Sequence, residues 1–272
     1  MTKLLLITSI VTLGYFSMPG QIASRDPVDL WNWKVELPSG YKASDWKLSN
    51  FHNDRFAAPF FYLNEDESAL VLEAFPSEGT STAKYTRNTL REQLQAGSND
   101  VNWTMKEGGV LEVEMEVESM SKGANGQYHR TILLQVDGRT TSKQTKQLGL
   151  EKPVSLPMLK IYWQEGYLKV VRKVLKDEST AGDALLSKNS WKEDKNTKHS
   201  ESKVGFEKVR VRLELKRGKI VLQINDERPI VYRDLSVAQW YFENYFTVGN
   251  YLQTKDIGSH STVNYYKIEV KH

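Results

Sequence analysis

Apolar and polar side chains alternate through most of this chain, the period of a β-strand with one buried face. In the clearest run Leu111, Val113, Met115 and Val117 alternate with Glu112, Glu114, Glu116 and Glu118. Val209, Val211, Leu213 and Leu215 repeat the pattern, and a turn at Arg217-Gly218 leads into Ile220, Leu222 and Ile224. Residues 157–163 and 167–174 predict a hairpin turned at Glu165-Gly166. Shorter strands are predicted over 26–37, 60–63, 69–75 and 263–270. Pro38-Ser39-Gly40 and residues 64–67 read as turns, 76–83 as a loop and 234–240 as a short helix. Residues 176–203 are rich in lysine and serine with little periodicity, which predicts a flexible excursion. Many short strands with almost no helical period imply an antiparallel all-β sandwich or barrel. No repeat or linker divides it, so one domain is expected over residues 24–272.

Three strands depart from plain alternation, because their second face carries specific polar groups. Over 85–94, Arg87, Thr89, Arg91 and Gln93 share a side, with Leu90 and Leu94 opposite beside Asn88 and Glu92. Over 130–137, Ile132, Leu134 and Val136 read as the core side, and Thr131, Leu133, Gln135 and Asp137 as the other. Over 245–253, Phe246, Val248, Asn250 and Leu252 face one way, and Tyr245, Thr247, Gly249, Tyr251 and Gln253 the other. Gly249 is expected to admit a close approach to the backbone. If these strands lie in the same sheet, their polar groups line one concave groove. Paired arginines hold carboxylates through double hydrogen bonds, an amide donates to a further oxygen, and a tyrosine moves a proton. Ordinary solvated strand faces remain the plainer reading of spacing alone.

Composition narrows the choices. The chain has 272 residues, enough for one large β domain, and charged and hydrophobic shares of 26% and 39% suit a soluble globular protein. A net charge of +3 gives no global field for nucleic acid. The absence of cysteine removes disulfides, thiolate metal sites and cysteine nucleophiles. Met1-Thr2-Lys3 followed by the mostly apolar residues 4–18 and Gly20-Gln21-Ile22-Ala23 predicts an export signal over 1–23. A secreted or periplasmic chain with no membrane span in its mature form is therefore expected. No cluster has metal-ligand spacing and no glycine-rich loop cradles phosphate, so no metal or cofactor is expected.

The residues of the three polar strands resemble those of a known family. Tyr85-Thr86-Arg87-Asn88-Thr89-Leu90-Arg91-Glu92 is similar to the Arg-(Ser/Thr)-Glu-Leu-Arg strand of the alginate lyases of polysaccharide lyase family 7. Gln135-Val136-Asp137 resembles their Gln-(Ile/Val)-His. The stretch 245–253, Tyr-Phe-Thr-Val-Gly-Asn-Tyr-Leu-Gln, resembles their Tyr-Phe-Lys-Ala-Gly-x-Tyr-x-Gln. All three occur in the family's order. The resemblance implies a β-jelly roll of two antiparallel sheets with a long substrate groove. It also implies β-elimination in a polyuronate such as alginate, leaving a 4,5-unsaturated uronate end. By the same resemblance Arg87 and Gln135 neutralise the sugar carboxylate and Tyr251 moves the C5 proton. Arg91, Asp137, Asn250 and Gln253 would bind substrate, an acidic polysaccharide taken by a monomer. A nearby cation such as Arg87 would have to favour the phenolate of Tyr251.

The chain also departs from the pattern. Asp137 stands for the family's histidine, Thr89 for the central glutamate and Thr247 for the lysine. Losing the last two charges together fits a lost ion pair. A carboxylate at 137 repels a substrate carboxylate unless one is protonated or an arginine intervenes, so Asp137 is expected to pair with Arg87 or Arg139, or to bind a sugar hydroxyl. His129 lies six residues from Gln135, roughly 20 Å along a strand, and His52 and His260 cannot be placed. A lyase on another polyuronate such as glucuronan stays open. So do a jelly-roll glycosidase using Glu112, Glu114 and Glu116, and a sugar-binding module stacking on Trp and Tyr.

Overall fold

The computed structural model describes residues 28–36, 60–66, 68–76 and 85–272. The expected export signal, the turn at Pro38-Ser39-Gly40, most of the loop after Pro76, and His52 lie outside the described residues.

In chain order the strands open with β1 (Trp33–Glu36), β2 (Phe61–Leu63), β3 (Leu70–Ala74), β4 (Arg87–Glu92), β5 (Gly109–Met120) and β6 (Thr131–Arg139). A short helix α1 (Ser142–Gln147) precedes β7 (Ser155–Gln164), β8 (Tyr167–Leu175), β9 (Trp191–Glu193) and β10 (Lys198–His199). Then come β11 (Val209–Lys216), β12 (Lys219–Ile224), β13 (Ile230–Tyr232), the helix α2 (Leu235–Ala238), β14 (Glu243–Leu252) and β15 (Ser261–Lys271). One sheet runs β1-β4-β14-β6-β7-β8-β10, with β9 on β8, and the other runs β13-β12-β11-β5-β15-β3-β2. Neighbouring strands are antiparallel throughout. The two layers form the expected jelly-roll sandwich.

The alternation explains the layering. Leu111, Val113, Met115 and Val117 of β5 face Leu90 of β4, Val136 of β6 and Phe246 and Val248 of β14 across one apolar core. Both predicted hairpins form. Their turns place Glu165 at φ 54° and Gly166 at 81°, and Arg217 at 49° and Gly218 at 72°. That left-handed pair follows the twist of the strands it joins. Asp234 caps α2 by accepting from the Val237 N–H.

Two expectations fail for physical reasons. Residues 176–203 are folded, with two short 3-10 turns, β9 and β10. Leu185, Leu186 and Trp191 anchor them in the core, and the Trp191 ring meets Trp240 at 4.7 Å. Three isolated apolar anchors leave no period to read. The second failure lies in β6. Leu133 and Leu134 both enter the core cluster, whereas Ile132 is buried outside it. The register slips here, because Val248 pairs with Leu134 but Tyr251 pairs with Ile132. Such a bulge reverses side-chain parity. It also disturbs the ladder near Leu133 and Gly249. The hydroxyl of Tyr265, reaching across from the second sheet, donates toward both carbonyls at 3.1 and 2.7 Å.

Asn250 makes a second tie between the sheets and has no exposed surface. Its Oδ1 accepts from the hydroxyls of Thr131 and Ser261, each at 2.7 Å. Its Nδ2 donates to the carbonyls of Leu72 at 2.9 Å and Ser261 at 2.8 Å. An alanine at 250 strands these partners without water. Asn250→Ala is expected to lower the unfolding free energy by about 3 kcal/mol in urea titrations; a loss under about 1 kcal/mol would deny Asn250 this structural role.

Candidate active site

Strands β4, β14 and β6 are neighbours, so the three polar faces become one surface on the outside of the first sheet. The register fixes its layout. Tyr251 is opposite Arg87, and Thr247 is opposite both Arg91 and Gln135. Tyr245 is opposite Asp137. Facing residues of such a ladder have Cα atoms about 5 Å apart. The Arg87–Tyr251 row and the Arg91–Gln135 row are four residues apart along β14, roughly 13 Å before the bulge shortens it. Arg87 leans into that gap to reach Glu36, which is opposite Thr89, whereas Arg91 and Gln135 turn the other way, toward Tyr245 and Asp137.

Arg87 is half-exposed, and its Nη2 lies 3.1 Å from Oε2 of Glu36 on the edge strand β1. Arg91 is buried, and its guanidinium lies 3.8 Å from the centre of the Tyr245 ring. It donates to the carbonyls of Glu92 and Asn99 at 2.8 and 3.0 Å and to Asn102 Oδ1 at 2.9 Å. Arg91 is thus held within the fold more than expected of a substrate clamp. Gln135 is half-buried and gives its Nε2 hydrogens to both oxygens of Asp137, at 3.1 and 2.9 Å. Gln253 follows β14, half-buried, with its amide donating to the Tyr251 carbonyl at 3.0 Å. Asn250 is on the wrong side of its strand for substrate, since it is consumed by the inter-sheet tie.

Asp137 pairs with neither expected arginine. Arg139 instead meets Asp100 at 3.2 Å. Asp137 accepts from Gln135 and from the Thr247 hydroxyl at 2.8 Å. Burial raises its pKa, and the charge of Glu36 adds to that. The hydrogen bonds from Gln135 and Thr247 and the charge of Arg87 pull the other way without cancelling it. The group is therefore shifted toward its neutral acid form. The phenol of Tyr245 is pushed up to about 12, first by burial and then by Asp137, so it keeps its proton.

Sequence reasoning missed Glu36, the acidic partner of Arg87. The signal lay in its place: alternation puts it on the face opposite Trp33 and Val35, and so outward. No described histidine joins the surface. His129 contacts Ser121 and Asp256, His199 contacts Ser200 and Tyr167, and His272 contacts Glu92 and Gly108. His260 is exposed, with its backbone held by Ser121. Glu112 and Glu116 lie on the outside of the second sheet, tied to Arg212, Lys267, Asn264 and Tyr266. They form a hydrogen-bonded and ion-paired strand face, not an acid and nucleophile around a groove. A cavity of about 840 Å³ opens near β10, β12 and β13, with Lys198, His199, Leu222 and Arg228 in its wall. It lies at the edge of the sandwich far from β4, away from Arg87 and Tyr251.

The family model described as alginate lyase matches residues 28–272. The chain belongs to the alginate lyase family. Its fold is shared with solved lyases of low sequence identity. Alginate lyase A1-II′, a member of polysaccharide lyase family 7, superposes with a TM-score of 0.65 at 20% identity, over 91% of this chain and 97% of that one. An alginate lyase from Pseudomonas aeruginosa gives 0.63 at 16% identity, over 90% and 99%. One from Klebsiella pneumoniae gives 0.63 at 17% identity, over 91% and 98%. Variants of A1-II′ have been solved in complex with product GGG and with substrate GGMG. No protein of curated function matches the chain in sequence.

The raised pKa of Asp137 has a consequence for stability. The folded chain binds this proton more tightly than the unfolded one, so stability falls as pH rises from about 4 through the folded pKa. Asp137→Asn removes that cost, and the Gln135 amide can turn to accept from it. The variant is expected to unfold at a higher urea midpoint than the native chain at about pH 7, with the gap closing toward about pH 4. An equal or lower midpoint at neutral pH would mean that the carboxylate is comfortably ionised.

Proposed function

We propose that this chain cleaves alginate by β-elimination at the outer face of β4, β14 and β6, with Tyr251 moving the proton and Arg87 neutralising the sugar carboxylate. The observation that carries this reading is the pairing of Arg87 with Tyr251 on adjacent strands of a chain in the alginate lyase family. The C5 hydrogen of a uronate is hard to remove while the neighbouring carboxylate is negative. A guanidinium beside that carboxylate stabilises the enolate-like charge that develops. The phenolate of Tyr251 takes the C5 proton, C4=C5 forms as the C4–O4 bond breaks, and O4 receives a proton. If the same phenol returns it, the group ends each turnover as it began. Gln135 supports the carboxylate with its amide once substrate displaces part of its bond to Asp137. Burial shifts Asp137 toward its acid form, which lessens the repulsion that an ionised carboxylate would bring.

The substrate in this reading is an acidic polysaccharide; variants of A1-II′ hold product GGG and substrate GGMG. Work outside the cytoplasm is the reading that a polymeric substrate supports.

The test is a screen of purified polyuronates against the full chain, read by the ultraviolet absorbance of the unsaturated uronate. Alginate is expected to give the signal, and Tyr251→Phe to lower turnover by about 10²- to 10⁴-fold with the fold intact. Absorbance from glucuronan alone would move the substrate assignment. Reducing ends without absorbance would make the chain a hydrolase. Near-native activity in Tyr251→Phe would remove the phenol from the chemistry. Arg87→Ala is expected to lower kcat more than it raises KM; a change in KM alone would make Arg87 only a clamp.

A further inference from the structure

We propose that Glu36 is a positioning residue for this reaction. From the edge strand it holds the Arg87 guanidinium in the pose that receives a uronate carboxylate, doing from β1 what an acidic residue at position 89 would do from β4. The inference rests on the lyase reading, and it concerns a residue outside all three motif strands.

The register places the group. Glu36 is the Cα partner of Thr89 in the β1–β4 ladder. Facing residues project to the same side, so Glu36 shares the face of Thr89 and of Arg87, two residues further along. Its Oε2 lies 3.1 Å from Arg87 Nη2 and 3.4 Å from Thr89 Oγ1. The family pattern has a glutamate at the place of Thr89, and the charge missing there stands directly across the ladder.

The physics explains why such a group matters. The Arg87 side chain keeps 35% of its surface exposed and has a long stem. An arginine left free carries rotamer entropy, which catalysis must overcome at each encounter. A donor helps only when it is in place before charge develops. The contact with Glu36 uses one guanidinium nitrogen, and arginine has further N–H donors for a second carboxylate. Without Glu36, the other carboxylate whose field acts with that of Arg87 in the site is Asp137. An Arg87 turned toward Asp137 would favour ionisation of the acid that the site keeps shifted toward neutral.

The experiment compares Glu36→Thr, Glu36→Gln, Glu36→Asp and the exchange Glu36→Thr with Thr89→Glu, all in the full chain. Alginate cleavage is followed by ultraviolet absorbance, and the fold by circular dichroism and thermal melting. Glu36→Thr and Glu36→Gln are expected to lower kcat by about tenfold to a hundredfold while KM moves less than about threefold. The exchange is expected to recover most of the loss. If the exchange fails to fold, Glu36→Asp, which keeps the charge, is expected to retain more of kcat than Glu36→Gln.

A second readout does not depend on activity. The Arg87 Nε–H signal in nuclear magnetic resonance is expected to be ordered in the native chain and averaged in Glu36→Thr. Native or higher kcat in Glu36→Gln would overturn the proposal and show that Glu36 competes with substrate. Unchanged order of Arg87 in Glu36→Thr would overturn it as well. A native chain inactive on every polyuronate would sink the lyase reading, while the resonance data still decide whether Glu36 holds Arg87.

Discussion

The hydrogen-bonded ladder joining β4, β14 and β6 is the constraint on which the site depends. It decides which side chains stand across from one another. A slip of one residue would send Arg87 or Tyr251 into the core and bring leucines out. Several buried polar groups guard against it. Glu92, on the inner side of β4, accepts from the Phe246 N–H of β14 at 2.8 Å and from Trp103 Nε1 at 3.0 Å. Asn250 and Tyr265 join the same strand to the opposite sheet. The polar atoms of Glu92, Asn250 and Tyr265 named here all have partners, whereas Asn88 Oδ1 on the inner side of β4 has none. The satisfied groups specify register.

Charge on the outer face follows a different rule. Three strong groups there are already engaged: Arg87 by Glu36, Arg91 by carbonyls and Asn102, and Asp137 by Gln135 and Thr247. Groups held in this way are placed before any new charge arrives beside them, so they need not reorganise to meet it. Burial shifts Asp137 toward its acid form, which lessens its repulsion of a second carboxylate.

Much of this could be read from the chain. Alternation in β5, β11 and β12 announced the sandwich, and Glu165-Gly166 and Arg217-Gly218 announced the hairpins. The motif strands were legible because their outer faces carry chemistry and their inner faces carry apolar residues. What escaped was set by contacts distant in sequence. The bulge that turns Ile132 outward and Leu133 inward has no local signature, since both residues are apolar. The burial of Asn250 depends on Leu72 and Ser261, which only the opposite sheet supplies. Residues 176–203 fold because three apolar side chains find the core, a pattern too sparse for periodicity. Glu36 was overlooked because its partner lies 51 positions away, in a strand that only the tertiary fold makes adjacent.

Gly249 draws these threads together. A methyl group on it would lie 2.5 Å from the Asn88 carbonyl and 2.6 Å from the Thr89 Cα, at a φ of 156°. The close approach expected at this glycine is therefore made by β4 itself. An empty volume on one strand governs how near the guanidinium-bearing backbone can come to the phenol-bearing one. The spacing of these two strands is in this way written into the main chain, beneath the lining. Side chains on the outer face are then free to vary while the distance between the two backbones stays the same.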